Sequence, residues 1–303
     1  MSKVPVVFVT DEHYVIPTCV AITSLLANRA PKTFYNVFII GIKLSADSIA
    51  KLDSIAAKNF RLKIIAMPEN KYAEYKSIWP GFHVTTVAMH KFDIVNILKN
   101  YAQVIYLDSD IIVQTDLSGL HAVNLKDNYA AAVKDMKGTL VNRYARKWGL
   151  SGYFNSGVQV LNLKKMREDK IFAKMMHNLK ISRPFLTFMD QDVFNVSFQR
   201  KVIFLSPLYN YMINNIRFSL RRQARFFNLT KNKMRAIIKS PAIIHYTNSR
   251  KPWAHYFAPR VRVWLQYYKL SPYAGLPLKR RLFTQKDLLL IPRILCRLGL
   301  KYK

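Results

Sequence analysis

The run Val104-Ile105-Tyr106-Leu107-Asp108-Ser109-Asp110-Ile111-Ile112-Val113 sets an acidic triplet between two short apolar stretches. Each stretch has the length and composition of a buried strand. In an extended chain, residues two apart project to the same side. Two carboxylates held there repel each other unless a cation joins them. One resolution is a bound divalent metal, and hard oxygen ligands suit Mg2+ or Mn2+, ions that commonly hold substrate phosphates as well. The other is an Asp-rich turn between two strands. Spacing alone leaves both open.

Outward from this run, short apolar segments alternate with helical patterns, the signature of an α/β sheet built from crossover units. Val4–Val9, Val37–Ile42 and Leu62–Ala66 read as buried strands, and Tyr129–Val133 and Val158–Leu163 as further ones. Pro17–Asn28 and Ser45–Lys58 read as helices, the second with Ser45 as N-cap and with Ile49, Leu52 and Ile55 recurring at three-residue steps. Val84–Asn100, Lys164–Leu179 and Gln191–Phe198 also look helical, and Ala242–His245 is a last apolar run. The first strand lacks the Gly-x-Gly-x-x-Gly turn of nicotinamide dehydrogenases, which disfavours that class.

Half of the 303 residues are hydrophobic, enough for one large core or two small ones. No apolar run approaches the roughly 18 residues that span a bilayer. The amino terminus carries a single Lys and then meets Asp11, Glu12 and His13, which breaks the apolar core of a secretory signal, so a cytoplasmic chain is expected. Cys19 and Cys296 are too few for a disulfide framework or a thiolate zinc site. The formal net charge is +31, and 22 of the 48 basic residues fall in residues 201–303 against a single acid, Asp287. Such a block should meet a polyanion: nucleic acid, an anionic membrane surface or a phosphorylated glycolipid. The basic segment 216–239 and the aromatic segment 253–268 are expected on the face that binds this partner.

Far downstream, Ile243-Ile244-His245-Tyr246-Thr247-Asn248-Ser249-Arg250-Lys251-Pro252-Trp253 ends an apolar run on a histidine and continues into a loop with two cations. An imidazole beside two carboxylates completes a Mn2+ site, and Lys251 can meet a diphosphate as a point charge. Alone, such a histidine is more often structural.

Five separated blocks now resemble one family. They are Phe8-Val9-Thr10-Asp11-Glu12-His13-Tyr14 with the following Cys19-Val20-Ala21; Tyr106 to Val113; Tyr153-Phe154-Asn155-Ser156-Gly157-Val158 leading to Leu161-Asn162-Leu163-Lys164-Lys165; Asp190-Gln191-Asp192-Val193-Phe194-Asn195; and His245 to Trp253. In order and spacing the chain resembles glycosyltransferase family 8, which includes bacterial lipopolysaccharide and lipooligosaccharide galactosyl- and glucosyltransferases and, more distantly, glycogenin.

The resemblance implies an α/β fold, a Rossmann-like nucleotide-sugar-binding domain of the glycosyltransferase A type over residues 1–265; composition adds a basic, aromatic, helical and membrane-associating C-terminal segment over 266–303. It implies a Mn2+-dependent, retaining hexosyltransferase, with Mg2+ as a possible substitute. The donor would be UDP-galactose or UDP-glucose, and the acceptor a glycan or glycolipid of lipopolysaccharide or another surface glycan. Asp11 and Tyr14 would hold uracil and ribose, although Asp11 could instead cap the next helix. Asp108, Asp110 and His245 would ligate the metal, with Ser109 at the donor, and Lys251 would neutralise the leaving phosphate. Asn155, Asp190 and Asp135 would contact the donor sugar, and Gln191 would lie near its anomeric carbon. Three positions depart from the family: His13 replaces Asn, Asn248 replaces a Gly beside the diphosphate, and Met89 replaces an Arg. Lys91 is the candidate to supply the missing charge at the donor.

Retention by double displacement needs a nucleophile on the far face of the sugar. The carboxamide of Gln191 is a poor one, so front-side attack is expected, with a phosphate oxygen of UDP taking the acceptor proton. In the tail, Arg293, Arg297 and Lys301 share one helical face while Ile291, Ile294, Leu295 and Leu298 gather on another. That is an interfacial helix on anionic lipid, which would make the enzyme peripheral on the inner face of the cell membrane; the alternative is a terminal helix packed on the core. Two other functions compete. A non-catalytic nucleotide-sugar or glycolipid binder would fit the changes at Met89 and Asn248, and a nucleic-acid-binding protein would fit the charge but has no recognisable motif here.

Overall fold

A computed structural model describes residues 2–78, 86–141, 148–150, 152–181 and 188–282. Its strands are β1 (Ser2–Asp11), β2 (Thr33–Ile42), β3 (Phe60–Met67), β4 (Gln103–Leu107), β5 (Ile111–Val113), β6 (Ala130–Lys134), β7 (Phe154–Asn162), β8 (Val202–Leu205), β9 (Tyr211–Met212) and β10 (Ile243–His245). Its helices are α1 (Val15–Ala27), α2 (Ala46–Asp53), α3 (Ile94–Ile97), α4 (Ser118–His121), α5 (Met136–Val141), α6 (Leu163–Glu168), α7 (Ile171–Ile181), α8 (Asp190–Phe198), α9 (Leu220–Phe226), α10 (Lys231–Lys239) and α11 (Val261–Tyr268).

Seven strands form one sheet in the order β3-β2-β1-β4-β7-β6-β8, and β5-β10-β9 form a second. The large sheet is parallel except for β7, which runs against both β4 and β6. Central parallel strands are covered on both faces, which is why β1 is apolar without a break from Val4 to Val9. Val4, Val6 and Phe8 join the core under α1 and α11, whereas Val7 and Val9 join the core under α3 and α6 to α8. Cys19 is buried in the first core, and burial pushes its thiol up to about 12, out of reach of nucleophilic chemistry. Cys296 lies outside the described residues.

Several expected elements differ. The third strand is not buried: β3 is an edge, and its exposed Arg61 and Lys63 guard that edge against foreign strands. Ser45 does cap α2, accepting the Ser48 N–H, but the helix stops at Asp53 and Ile49 is 37% exposed, leaving Leu52 as its buried anchor. The helix expected over 84–100 is a 3-10 segment, Thr86–Asp93, followed by the single turn of α3. The one expected over 164–179 is broken into α6 and α7 at Lys170, whose φ of 50° belongs to the left-handed region. The acidic triplet is a bend between two sheets rather than extended chain. The domain boundary expected after residue 265 falls inside α11, and Tyr267, Tyr268 and Tyr273 belong to the same core as β1. The basic helix expected around 291–301 lies outside the described residues. Among the described residues, no helix is long and apolar enough to cross a membrane.

Candidate active site

Strand order reverses beside β1, with β2 and β3 to one side and β4 to the other. In open α/β sheets the crevice at the carboxyl ends of such strands is where ligands bind. Here β1 delivers Asp11 to that edge, β4 delivers Asp108 one residue past its end, and β6 delivers Asp135 in the same way. Because β7 is reversed, its beginning reaches the same edge. The Asp108 N–H donates to Gly157 O at 2.7 Å, and the Asp135 N–H to Tyr153 O at 2.8 Å. A cleft of about 330 Å³ opens there, lined by Asp11, Tyr14, Lys91, Asp108, Ser109, Asp110, Asp135, Asn155, Asp190, Gln191, His245 and Lys251 among others. All twelve residues singled out in the sequence therefore border one cavity.

The second sheet brings in the histidine. β10 pairs antiparallel with β5, His245 opposite Ile111, so the imidazole lands beside Asp110 although 135 residues separate them. Asp108, Asp110 and His245 each offer a ligand atom within 4.8 Å of the others. His245 Nε2 is 3.0 Å from Asp110 Oδ1 and 3.7 Å from Asp108 Oδ2. Its Nδ1 faces Asn210 Oδ1 at 3.0 Å. A side chain on Gly157 would run into the His245 ring and the Asp108 carboxylate, so glycine leaves this space open. Two carboxylates and an imidazole that converge in this way fit Mn2+ or Mg2+.

Lysines balance the acids. Lys251 is bonded to Asp110 and to Tyr246 O. Burial raises the Asp110 carboxyl, but the Lys251 ammonium beside it outweighs that and holds the group well below the usual carboxylate range. Lys91, 4% exposed, sits 2.8 Å from Asp190 and 3.2 Å from Asp108. Burial lowers its pKa, yet the two carboxylates reverse that and lift it well above the ordinary lysine value. Met89, by contrast, is buried in the second core. The cation at this wall of the cleft is therefore Lys91, two residues on.

Opposite the acids, Asp190 and Gln191 open α8, where the helix dipole favours negative charge. Asp190 accepts from Ser156 Oγ at 2.9 Å. Gln191 Oε1 accepts from Asn155 Nδ2 at 2.9 Å and from the Ser156 N–H at 3.2 Å, and its Nε2 donates to Asp135 at 3.1 Å. Ser109 turns inward: its hydroxyl accepts from Thr18 at 2.7 Å and donates to Val9 O at 3.2 Å, tying the triplet to α1 and β1. Asp11 accepts the Tyr14 N–H at 3.0 Å just before α1, while Tyr14 stands edge-on to Trp253, ring centroids 5.7 Å apart. Neither His13 nor Asn248 lines the cleft.

Sequence reasoning missed Asn210, which is fully buried, and gave no role to Tyr106, whose hydroxyl donates to Asp108 at 2.6 Å. Asn210 stands in Leu208-Tyr209-Asn210-Tyr211, a lone amide among apolar neighbours, and that mismatch was its only signal.

The sequence model of the family described as glycosyl transferase family 8 matches residues 5–256. Lipopolysaccharide 1,2-glucosyltransferase of Escherichia coli (strain K12) is 29% identical over 276 residues, covering 88% of this chain and 76% of that protein. Glycosyltransferase GlyF of Streptococcus pneumoniae serotype 4 is 26% identical over 268 residues, 88% of this chain but 61% of its own length. The crystal structure of galactosyltransferase LgtC with donor and acceptor sugar analogs aligns at a TM-score of 0.74 and 22% identity, covering 88% of this chain and 96% of that one, a likeness of fold. The family match runs through β1 to β10 and takes in every residue around the cleft, and the chain belongs to glycosyl transferase family 8.

Proposed function

We propose that this glycosyltransferase moves galactose or glucose from a UDP-sugar to a glycan or glycolipid acceptor in lipopolysaccharide or other surface-glycan synthesis, with Mn2+ held by Asp108, Asp110 and His245. The observation that carries the reading is the convergence of these three side chains at the switch point of the sheet, in a cleft also lined by Asn155, Asp190 and Gln191. A cation there supplies positive charge to the departing diphosphate. Lys251, once released from Asp110, adds a second charge to the same group. Asp11 and Tyr14 hold the nucleoside, with the Ser109 backbone beside it. Asn155, Asp135 and Asp190 orient the sugar, and Lys91 pairs with Asp190 at 2.8 Å.

For a retaining transfer, the state of Gln191 supports front-side attack over double displacement through this residue. Both acceptor positions of its oxygen are engaged by Asn155 and Ser156, so no lone pair is left to attack carbon. The acceptor hydroxyl then enters on the leaving-group face and gives its proton to a phosphate oxygen. Membrane association is part of the proposal. Residues 201–282 carry no acid, and Ile216, Tyr256, Phe257, Leu270, Leu276 and Leu282 are large, exposed and apolar in the same region. That combination suits an anionic membrane surface on the cytoplasmic side, reinforced by residues 283–303.

The test is UDP release from a panel of UDP-sugars with Mn2+, Mg2+ or EDTA. UDP-galactose or UDP-glucose should be turned over with Mn2+ and not with EDTA. Equal rates with EDTA would remove the metal from the proposal, and no turnover of any UDP-sugar would favour a non-catalytic binder.

A further inference from the structure

The side-chain amides beneath the cleft form an unbroken chain, and its direction follows from groups whose part in a hydrogen bond has no alternative. The Gly157 N–H donates to the Asn155 side chain at 3.0 Å, so the Asn155 atom there is its oxygen and the other atom its NH2. That NH2 meets Gln191 at 2.9 Å, and the Gln191 atom involved also receives the Ser156 N–H at 3.2 Å, so it too is an oxygen. The remaining Gln191 NH2 then faces the Asp135 carboxylate at 3.1 Å, as it must. Both ends of the chain agree. Asn210 approaches the same Asn155 oxygen at 2.8 Å and has to donate there with its NH2, which turns its own oxygen toward His245 Nδ1 at 3.0 Å. An amide oxygen only accepts, so Nδ1 carries a proton and Nε2 is the nitrogen directed at Asp110.

We infer that Asn210 is a positioning residue with two tasks: it fixes the His245 tautomer that presents Nε2 to a cation, and through the same amide it anchors the Asn155–Gln191 pair beside the donor sugar. The inference rests on the proposed cation site and deepens it. Only an amide suits the position. It accepts on one side and donates on the other, and it is 0% exposed, so bulk water does not share either bond. An aspartate would still accept from Nδ1–H but would set an acceptor against the Asn155 oxygen. An alanine would serve neither neighbour. Outer partners that hold a ligand histidine in this way typically carry a ten- to hundredfold share of metal affinity.

The experiment compares the wild type with Asn210→Ala and Asn210→Asp, each at full length. Mn2+ affinity is read without donor from the electron paramagnetic resonance of free Mn2+. The His245 tautomer is read from 15N shifts in metal-free protein, and the donor KM from UDP release. N210A should bind Mn2+ roughly 10- to 100-fold more weakly. N210D should keep an affinity close to wild type yet raise the donor KM by about tenfold, because a buried acceptor pair now faces Asn155. A merely structural role would move both readouts together in both variants, and that result would overturn the inference. So would N210A binding Mn2+ like the wild type, or a His245 that carries its single proton on Nε2. Should N210A fail to fold, the split in N210D decides alone. A wild type that binds no Mn2+ would sink the cation site itself, whereas the 15N shifts judge the tautomer independently.

Discussion

Gly157 shows how little room the acids and the imidazole share. Its missing Cβ would meet both the His245 ring and the Asp108 carboxylate, so Gly157→Ala should cut Mn2+-dependent UDP-sugar hydrolysis at least about tenfold by pushing ligands apart. The thermal midpoint should fall by only a few degrees, since side chains rather than backbone must give way; intact hydrolysis would mean the three groups do not act together. Lys91 makes a different prediction. Its ammonium lies between Asp108 and Asp190, and Lys91→Met would leave two carboxylates facing each other without a cation, at a cost of about 3–5 kcal/mol. In the wild type, a lysine pKa raised by folding gives stability that is present below the ordinary lysine value and lost only as pH climbs past the raised one. Urea titrations of the variant and the wild type at pH 7 would read the loss, and equal midpoints would mean the ammonium does not hold the two acids together. The two acids and His245 were legible because their residue types are rare at the ends of apolar runs. Asn210 was not, since its role depends on which strand lies beside which.

At the scale of elements, the triplet converges for a reason other than the one its spacing suggests. Side-by-side projection requires extended chain, and the segment is a bend. What gathers the groups is register: His245 opposite Ile111, and the reversed β7 starting where β4 ends. Alternation of apolar and helical segments disclosed most strands, yet direction is not encoded in periodicity, so a reversed strand reads like its neighbours. The 3-10 segment Thr86–Asp93 escaped for a related reason, because it is held by tertiary bonds. Asp93 receives Lys71 at 2.6 Å and the Tyr72 hydroxyl at 3.2 Å, with His90 at 3.6 Å. Burial raises the Asp93 carboxyl, but His90, Lys71 and Tyr72 prevail and hold it below its ordinary value. A depressed carboxylate contributes stability above its unfolded pKa and loses it as pH falls through the folded one. Asp93→Asn should therefore cost about 1–3 kcal/mol at pH 7 and flatten the pH dependence of the urea midpoint below about pH 4. An unchanged profile would mean the segment does not depend on this carboxylate.

For the whole molecule, charge is segregated more sharply than structure. The carboxyl-terminal third is almost without acids, yet α11 and Tyr273 are built into the principal core, so the cationic surface is continuous with the body that bears the cleft. Composition made the charge legible; it could not reveal that Tyr267, Tyr268 and Tyr273, past residue 265, share the core of β1. Vesicles containing anionic lipid should bind the protein, with affinity falling steeply as salt rises. Removing residues 285–303 should weaken that binding while donor hydrolysis persists, and undiminished binding would place the whole attachment on residues 201–282.

The small sheet β5-β10-β9 also governs when the protein becomes competent. As the ribosome extends the chain, Asp108 and Asp110 emerge early, but their imidazole partner arrives only after 135 more residues and is seated by a ladder of three residue pairs. Closing so long a loop is slow and entropically costly. A half-made chain therefore presents two acids with no histidine to join them, and the three groups can meet only after residue 245 has been added.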